Sequence, residues 1–342
     1  MIVDQSEIPP KLLLLAIGGT IAGRGADSTS LNDYTAGALA ASELLQKLPQ
    51  LQRFALIQVE QLANVDSADL EFQHWIDLVK RIRRGFAESS ELAGVVITHG
   101  TNTMEESAWL LELLIDDPRP VVLVGAMRPA TALSADGPLN LFQAVQVATS
   151  TQAIGHGVLV VMDGQIHGAR AVTKVATQGV GAFESPGSGP LGWVDDLGVH
   201  LPLKSGPRSV PFATLELPVD WPQVAILYGC VDPPLAMILA LLQAGVKGLV
   251  WTGTGAGQLS LVERDALMQW PGQLPLMLRA SRCGSGPVHP CDRNDQLGLL
   301  PAGSLSPQKA RILLLLALIA GLDRTELSAL LATMLMTGKN EG

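Results

Sequence analysis

Short aliphatic runs alternate with longer amphipathic stretches along the first half of the chain. Leu12–Ile17, Gly94–Thr98, Val121–Val124 and Gly157–Val161 are apolar almost throughout, which predicts strands buried on both faces. Helical periodicity falls between and around them, over Ala41–Leu48, Leu70–Ser89, Met104–Leu114 and Pro138–Ser150. Strand and helix in alternation mean βαβ units and a parallel sheet. The pattern lapses over Leu201–Trp221, which is rich in proline and polar residues and reads as a linker. It then resumes, with strands over Val224–Gly229, Gly248–Thr252 and Leu274–Arg279 and helices over Pro234–Ala244 and Leu261–Gln269. Two closing helices follow near Pro307–Ala320 and Arg324–Met336. The chain is thus predicted to be an α/β protein of two doubly wound parallel-sheet domains. The larger N-terminal one covers residues 1–202, a linker covers 203–222, and the smaller C-terminal one covers 223–342.

Composition narrows the class of partner. With 342 residues, 47% of them apolar and 16% charged, the chain can bury a sizeable core. Its net charge of −9 argues against nucleic acid or an anionic membrane as partner, since both need a basic footprint. The basic run Lys80-Arg81-Ile82-Arg83-Arg84 lies on a helical pattern and reads as a solvated face. Cys230, Cys283 and Cys291 are too few, and odd in number, for a disulfide framework; they fit a reducing compartment. Met1 to Lys11 carries acids and prolines rather than a basic leader, and the apolar stretch Ile312–Leu322 is too short to span a bilayer. A cytoplasmic soluble protein is the expectation.

Two of the apolar runs end in glycine and hydroxyl residues. Gly18-Gly19-Thr20-Ile21-Ala22-Gly23 follows the first, and Thr98-His99-Gly100-Thr101-Asn102-Thr103 closes the second. In open parallel sheets such turns lie at the carboxyl ends of strands, where ligands bind. Two threonines placed there suggest chemistry done by threonine. A nucleotide site has little to rest on: Gly187-Ser-Gly189-Pro-Leu-Gly192 follows no predicted strand and opens no helix, and no phosphate-loop pattern occurs. Zincin and serine-hydrolase motifs are missing as well. Cys283, His289, Cys291 and Asp292 lie close together but match no common zinc spacing, so no metal is expected. The glycine turn Thr252–Leu259 in the second domain is, taken alone, only a tight strand-to-helix connection.

The threonine segments carry a resemblance. Gly18-Gly19-Thr20-Ile21-Ala22 resembles the first signature of the bacterial-type L-asparaginase/glutaminase family, the threonine amidohydrolases, with Ile17 where a threonine is usual. Thr98-His99-Gly100-Thr101-Asn102-Thr103-Met104-Glu105-Glu106 resembles the second, with Asn102 in place of aspartate. Val124–Pro129, Ser134–Pro138, Arg170–Lys174 and Gly303–Arg311 agree too, so the resemblance runs from about Leu12 to about Leu318. The larger domain is then expected to be flavodoxin-like. A threonine hydroxyl is a poor nucleophile without a base, and a lysine can serve as base when burial lowers its pKa. The resemblance implies Thr20 as nucleophile, aided by Tyr34, and Thr101, activated by Lys174, as the group that delivers water. Ser67 matches the ligand of the substrate carboxylate, with Asp66 beside it in the binding stretch. Backbone N–H groups near Thr101, Asn102 and Ala126 would form the oxyanion and carboxylate cradle. His99 reads as a structural strand-end histidine, and Glu105, Arg128 and Asp136 as scaffold. No cofactor is implied. The implied partners are a small-molecule amide and further copies of the chain, in a homotetramer built as a dimer of dimers. There the 252–259 turn helps complete a neighbouring subunit's site.

The departures bear on the substrate. In the family the aspartate replaced by Asn102 binds the α-ammonium of the substrate, and losing that contact should cost about 1.5–3 kcal/mol. A neighbouring-subunit glutamate with the same role falls near Cys291 and Asp292, of which Asp292 could partly replace it, and Gln258 stands where asparagine is usual. Three readings follow: an asparaginase or glutaminase, a hydrolase for an amide whose α-amino group is absent or masked, or a binding homologue without turnover. Reduced activity, or a substitution made to trap a ligand, would also account for Asn102. The survival of Thr20, Tyr34, Thr101 and Lys174 together argues against lost turnover. Judged from the sequence, Asn102→Asp should strengthen handling of L-asparagine roughly ten- to a hundredfold.

Overall fold

The computed structural model describes residues 9–29, 31, 34–203 and 208–337. The parts of the predicted spans at 1–8, 204–207 and 338–342 lie outside the described residues. The chain forms two compact units, divided between Ala213 and Thr214.

In the first unit, β1 (Lys11–Gly18), β2 (Leu56–Val65), β3 (Leu92–Thr98), β4 (Val121–Val124) and β5 (Val158–Met162) pair in parallel in the order β2-β1-β3-β4-β5. This 2-1-3-4-5 order is that of a flavodoxin-like sheet. Four helices cover it: α1 (Ala41–Gln46), α2 (Phe72–Glu88), α3 (Met104–Leu114) and α4 (Gly137–Thr149). Leu12, Leu14 and Ala16 of β1 pack with Leu44 of α1 and with Leu141 and Ala144 of α4 on one face. Successive strand side chains point to opposite faces, so Leu13 and Leu15 turn the other way, where Leu13 meets α2 at Gly85. Helices on both faces explain why these strands are apolar at every position.

The sheet is mixed rather than wholly parallel. Beyond β5 it continues through β6 (Gln165–Gly168), β7 (Gly192–Asp195) and β8 (Gly198–His200), all antiparallel to their neighbours. Hydrophobic runs do not reveal these strands, nor β2. All four are short or have a wet side; Gln58, Glu60 and Gln61 interrupt β2, an edge strand whose backbone is paired on one side only.

The second unit holds a four-stranded parallel sheet in the order β9 (Val224–Tyr228), β10 (Gly248–Gly253), β11 (Leu276–Ser281), β12 (Leu299–Pro301). Its helices are α5 (Leu235–Gln243), α6 (Leu261–Met268), α7 (Asp292–Asp295), α8 (Pro307–Ile319) and α9 (Arg324–Thr337). Ile238 and Leu242 of α5 and Leu267 of α6 pack on Leu249, Trp251, Met277 and Leu299. α8 packs on the sheet too, with Leu314 close against Gly248. Ser306 caps α8 by accepting the Lys309 N–H at 3.4 Å, and Pro307 occupies the first turn, where its missing N–H costs nothing. Among the described residues no helix is long and apolar enough to cross a membrane. All three cysteines are unpaired.

Candidate active site

Strand order places the site. β2 lies on one side of β1 and β3 on the other, so the chain reverses its direction of winding between β1 and β3. Turns leaving the carboxyl ends of two such strands diverge and leave a crevice for ligands. Both threonine turns leave from there.

Close backbone packing joins the turns. Gly19 has φ 85°, in the left-handed region, and a Cβ on it would collide with the backbone of Gly100. A Cβ on Gly100 would in turn lie 2.5 Å from Ser67 Oγ. The turns after β1, β2 and β3 therefore touch only because these two positions lack side chains.

On the first turn Thr20 opens a short 3-10 helix, Thr20–Ala22, and is buried. Its Oγ1 lies 2.6 Å from the hydroxyl of Tyr34, which sits in a two-residue antiparallel ladder with Arg24–Gly25. On the turn after β3, Thr101 Oγ1 accepts a hydrogen bond from Lys174 Nζ at 2.9 Å. Lys174 reaches it from a ladder of Thr173–Lys174 with Phe183–Glu184. The same Nζ donates to Asn102 Oδ1 at 3.1 Å, and Asn102 Nδ2 donates to Asp66 Oδ1 at 3.1 Å. Ser67 Oγ accepts the Asn102 N–H at 3.1 Å, and the Ser67 carbonyl accepts from Thr103 Oγ1 at 2.8 Å. Burial lowers the pKa of Lys174 below the ordinary lysine value, while the negative charge of Asp66 opposes the shift.

Thr101, Lys174, Asn102, Asp66 and Ser67 are thus one hydrogen-bonded chain, and Thr20 with Tyr34 forms a second pair on the adjoining turn. Ala126 is buried just past the end of β4. The loop after it is pinned by Asp136, whose carboxylate accepts the Met127 and Arg128 N–H groups, each at 2.9 Å. Asp292 belongs to the second unit, where it opens α7.

Beneath the second turn, His99 is fully buried, with Nδ1 2.6 Å from the Gly100 carbonyl and Nε2 2.8 Å from Ser107 Oγ. Burial pushes its pKa down to about 4, so the ring is neutral at physiological pH. Trp75 Nε1 donates to the same Ser107 hydroxyl at 2.8 Å, leaving that hydroxyl's proton for His99 Nε2 and the Nδ1 proton for Gly100. The ring holds the peptide before Thr101 in place. Trp75 and Ser107 are marked by no motif, whereas Thr103 lies within the second signature, two residues after Thr101. Glu105 is buried, and its Oε1 accepts the Lys174 backbone N–H at 3.5 Å.

A cavity of about 740 Å³ opens at the other, amino-terminal end of β1 to β3, lined by Leu48, Leu51, Ile57, Lys11 and Arg81 among others. Its two cations are already paired, Lys11 with Glu91 and Arg81 with Glu60. Among the described residues no group of three or more His, Cys, Asp or Glu side chains could hold a metal.

Family models cover both units. "Asparaginase, N-terminal" matches residues 11–205, and "Glutaminase/Asparaginase C-terminal domain" matches 223–331. The chain belongs to the asparaginase family. A probable periplasmic L-asparaginase of Haemophilus influenzae is 40% identical over 90% of this chain and 88% of its own. A glutaminase-asparaginase of Pseudomonas fluorescens is 36% identical over 92% and 88%. The crystal structure of a probable cytoplasmic L-asparaginase from Campylobacter jejuni is also similar, with a TM-score of 0.87 and 37% identity over 94% of this chain and 99% of that one.

Proposed function

We propose that this asparaginase-family protein is an amidohydrolase that releases ammonia from the side-chain amide of L-asparagine, with L-glutamine the second amide to test. One observation carries the reading: two threonines stand on touching turns at the switch point, each with its own proton partner, Tyr34 at 2.6 Å and Lys174 at 2.9 Å. Thr20 Oγ1 attacks the amide carbon, its proton is relayed through the Tyr34 hydroxyl to the amide nitrogen, and the C–N bond breaks to release ammonia. The ester left on Thr20 is then hydrolysed by a water positioned by Thr101 and Lys174, giving the carboxylic acid and free threonine. Ser67, Asp66, Asn102 and the backbone near Ala126 bind the substrate in this reading, with Asp292 of a neighbouring copy a further ligand. Ammonia release from L-asparagine, L-glutamine, succinamate and N-acetyl-L-asparagine tests it. L-asparagine should give the highest kcat/KM. A preference for either amide lacking a free α-amino group would move the protein to a different substrate class.

The same reading includes a homotetramer built as a dimer of dimers. Supporting it, α5 is apolar on every side yet leaves Met237 58% exposed and Leu239 36% exposed, an unusual surface for a lone chain. Light scattering on the purified protein should give a mass about four times 36.0 kDa, and a monomeric mass would remove the assembly from the proposal. A cytoplasmic location rests on the sparse cysteines and on the Campylobacter protein, against a relative named periplasmic.

A further inference from the structure

Asn102 cannot supply the negative charge that its position carries in the resembling motif, but its neighbours show where that charge stands. Its amide is oriented from both sides, with Oδ1 accepting from Lys174 Nζ and Nδ2 donating to Asp66 Oδ1. The reverse orientation would set the NH₂ group against the lysine donor and the oxygen against a carboxylate. Asp66 comes from the N-cap of the short helix Ser67–Asp69, and its Oδ1 also accepts the Ala68 N–H at 2.9 Å. Both described hydrogen bonds to this carboxylate go to Oδ1, and the residue is only partly buried. The other carboxylate touching the cluster, Glu105, is buried against the Lys174 backbone.

We propose that Asp66 is the specificity-determining residue that meets the α-ammonium of an amino-acid amide, with Asn102 as the neutral link between it and Lys174. The inference rests on the proposed amidohydrolase reading. Here the anion has moved across one hydrogen bond, from position 102 to position 66. This changes what Asn102→Asp should do. The new carboxylate would stand within hydrogen-bond distance of Asp66, and two like charges so close disfavour ionisation of both. A gain with L-asparagine is therefore not expected from that variant alone. Moving the charge back requires the exchange of both residues.

The test compares wild type, Asp66→Asn, Asn102→Asp and the double exchange, on L-asparagine and on succinamate, the same amide without an α-amino group. Asparagine at position 66 keeps an oxygen for the Ala68 cap, and an unchanged melting temperature checks that the fold is intact. Asp66→Asn should raise KM for L-asparagine roughly ten- to a hundredfold, the loss typical of one charge-assisted contact, and at least tenfold less for succinamate. Asn102→Asp should bring no improvement with L-asparagine, and the double exchange should return to within about tenfold of wild type. Equal losses on both substrates, no loss in Asp66→Asn, or a tenfold gain from Asn102→Asp alone would each overturn the assignment. Calorimetric titration of L-asparagine into each protein, carried in a Thr20→Ala background, separates this inference from the functional one. A wild type that releases no ammonia sinks the proposed reaction. The assignment of Asp66 then stands only if Asp66→Asn weakens L-asparagine binding by the same factor, and falls if binding is unchanged or absent.

Discussion

Thr20→Ala is expected to lower kcat for ammonia release from L-asparagine at least about a thousandfold while leaving KM within a few fold, as deletion of a nucleophile does. The hydroxyl is the one group on the first turn with a short contact to a proton partner, Tyr34 at 2.6 Å. Removing it deletes one oxygen and one methyl from a residue at the start of a short 3-10 turn, and the backbone path set by Gly19 is untouched. The fold should therefore survive, and ligand contacts from Asp66, Ser67 and Asn102 should survive with it. Thr20→Ser is the matching control, since it keeps an oxygen in place and should recover a substantial part of the rate. Steady-state kinetics with a coupled ammonia assay measure all three proteins. Retention of more than about a tenth of wild-type kcat by Thr20→Ala would take the nucleophile's role from Thr20 and pass it to Thr101, the hydroxyl that Lys174 contacts.

How much of this could be read beforehand depends on what each element is exposed to. β1, β3, β4 and β5 are covered on both faces, so they stand out as unbroken apolar runs. β2 and β6 to β8 meet solvent or pair antiparallel at the sheet's ends, and their polar residues hide them among loops. Strand order is a matter of long-range pairing and leaves no local trace. The position of the switch point between β1 and β3 thus had to come from the structure, although the glycines that let the two turns touch are plain in both motifs. The site divides in the same way. Thr20, Thr101 and Lys174 are visible through motifs, and Asn102 is visible as a missing charge. What that missing charge means is set by Asp66, 36 positions away in sequence, and by Lys174, 72 positions away. No periodicity or spacing links residues that far apart.

Lys174 carries the second large expected effect, and its sign follows from its surroundings. Its Nζ sits 2.9 Å from Thr101 Oγ1, close enough to take the proton of that hydroxyl or of a water held there, but only as a neutral amine. Burial favours the neutral form and lowers the pKa from 10.5, while Asp66 favours the ammonium and pulls the other way. Two further groups face the lysine: Asn102, which is uncharged, and Glu105, which meets its backbone N–H. Below the depressed pKa the amine is protonated and the rate should fall about tenfold per pH unit. Above it the rate should level off. Asp66→Asn, by removing the opposing charge, should move that limb to lower pH. Lys174→Met should cost about 10²–10⁴ in kcat, the range for loss of a general base, and should abolish the limb. Lys174→Arg decides between a base and a mere tether. Arginine keeps a positive charge and donors for Thr101 and Asn102 but does not give up its proton in proteins. If Lys174 acts as a base, the arginine enzyme is as slow as the methionine enzyme. An arginine variant within tenfold of wild type, with its pH profile unaltered, would leave Lys174 the task of holding the Thr101 turn and nothing more.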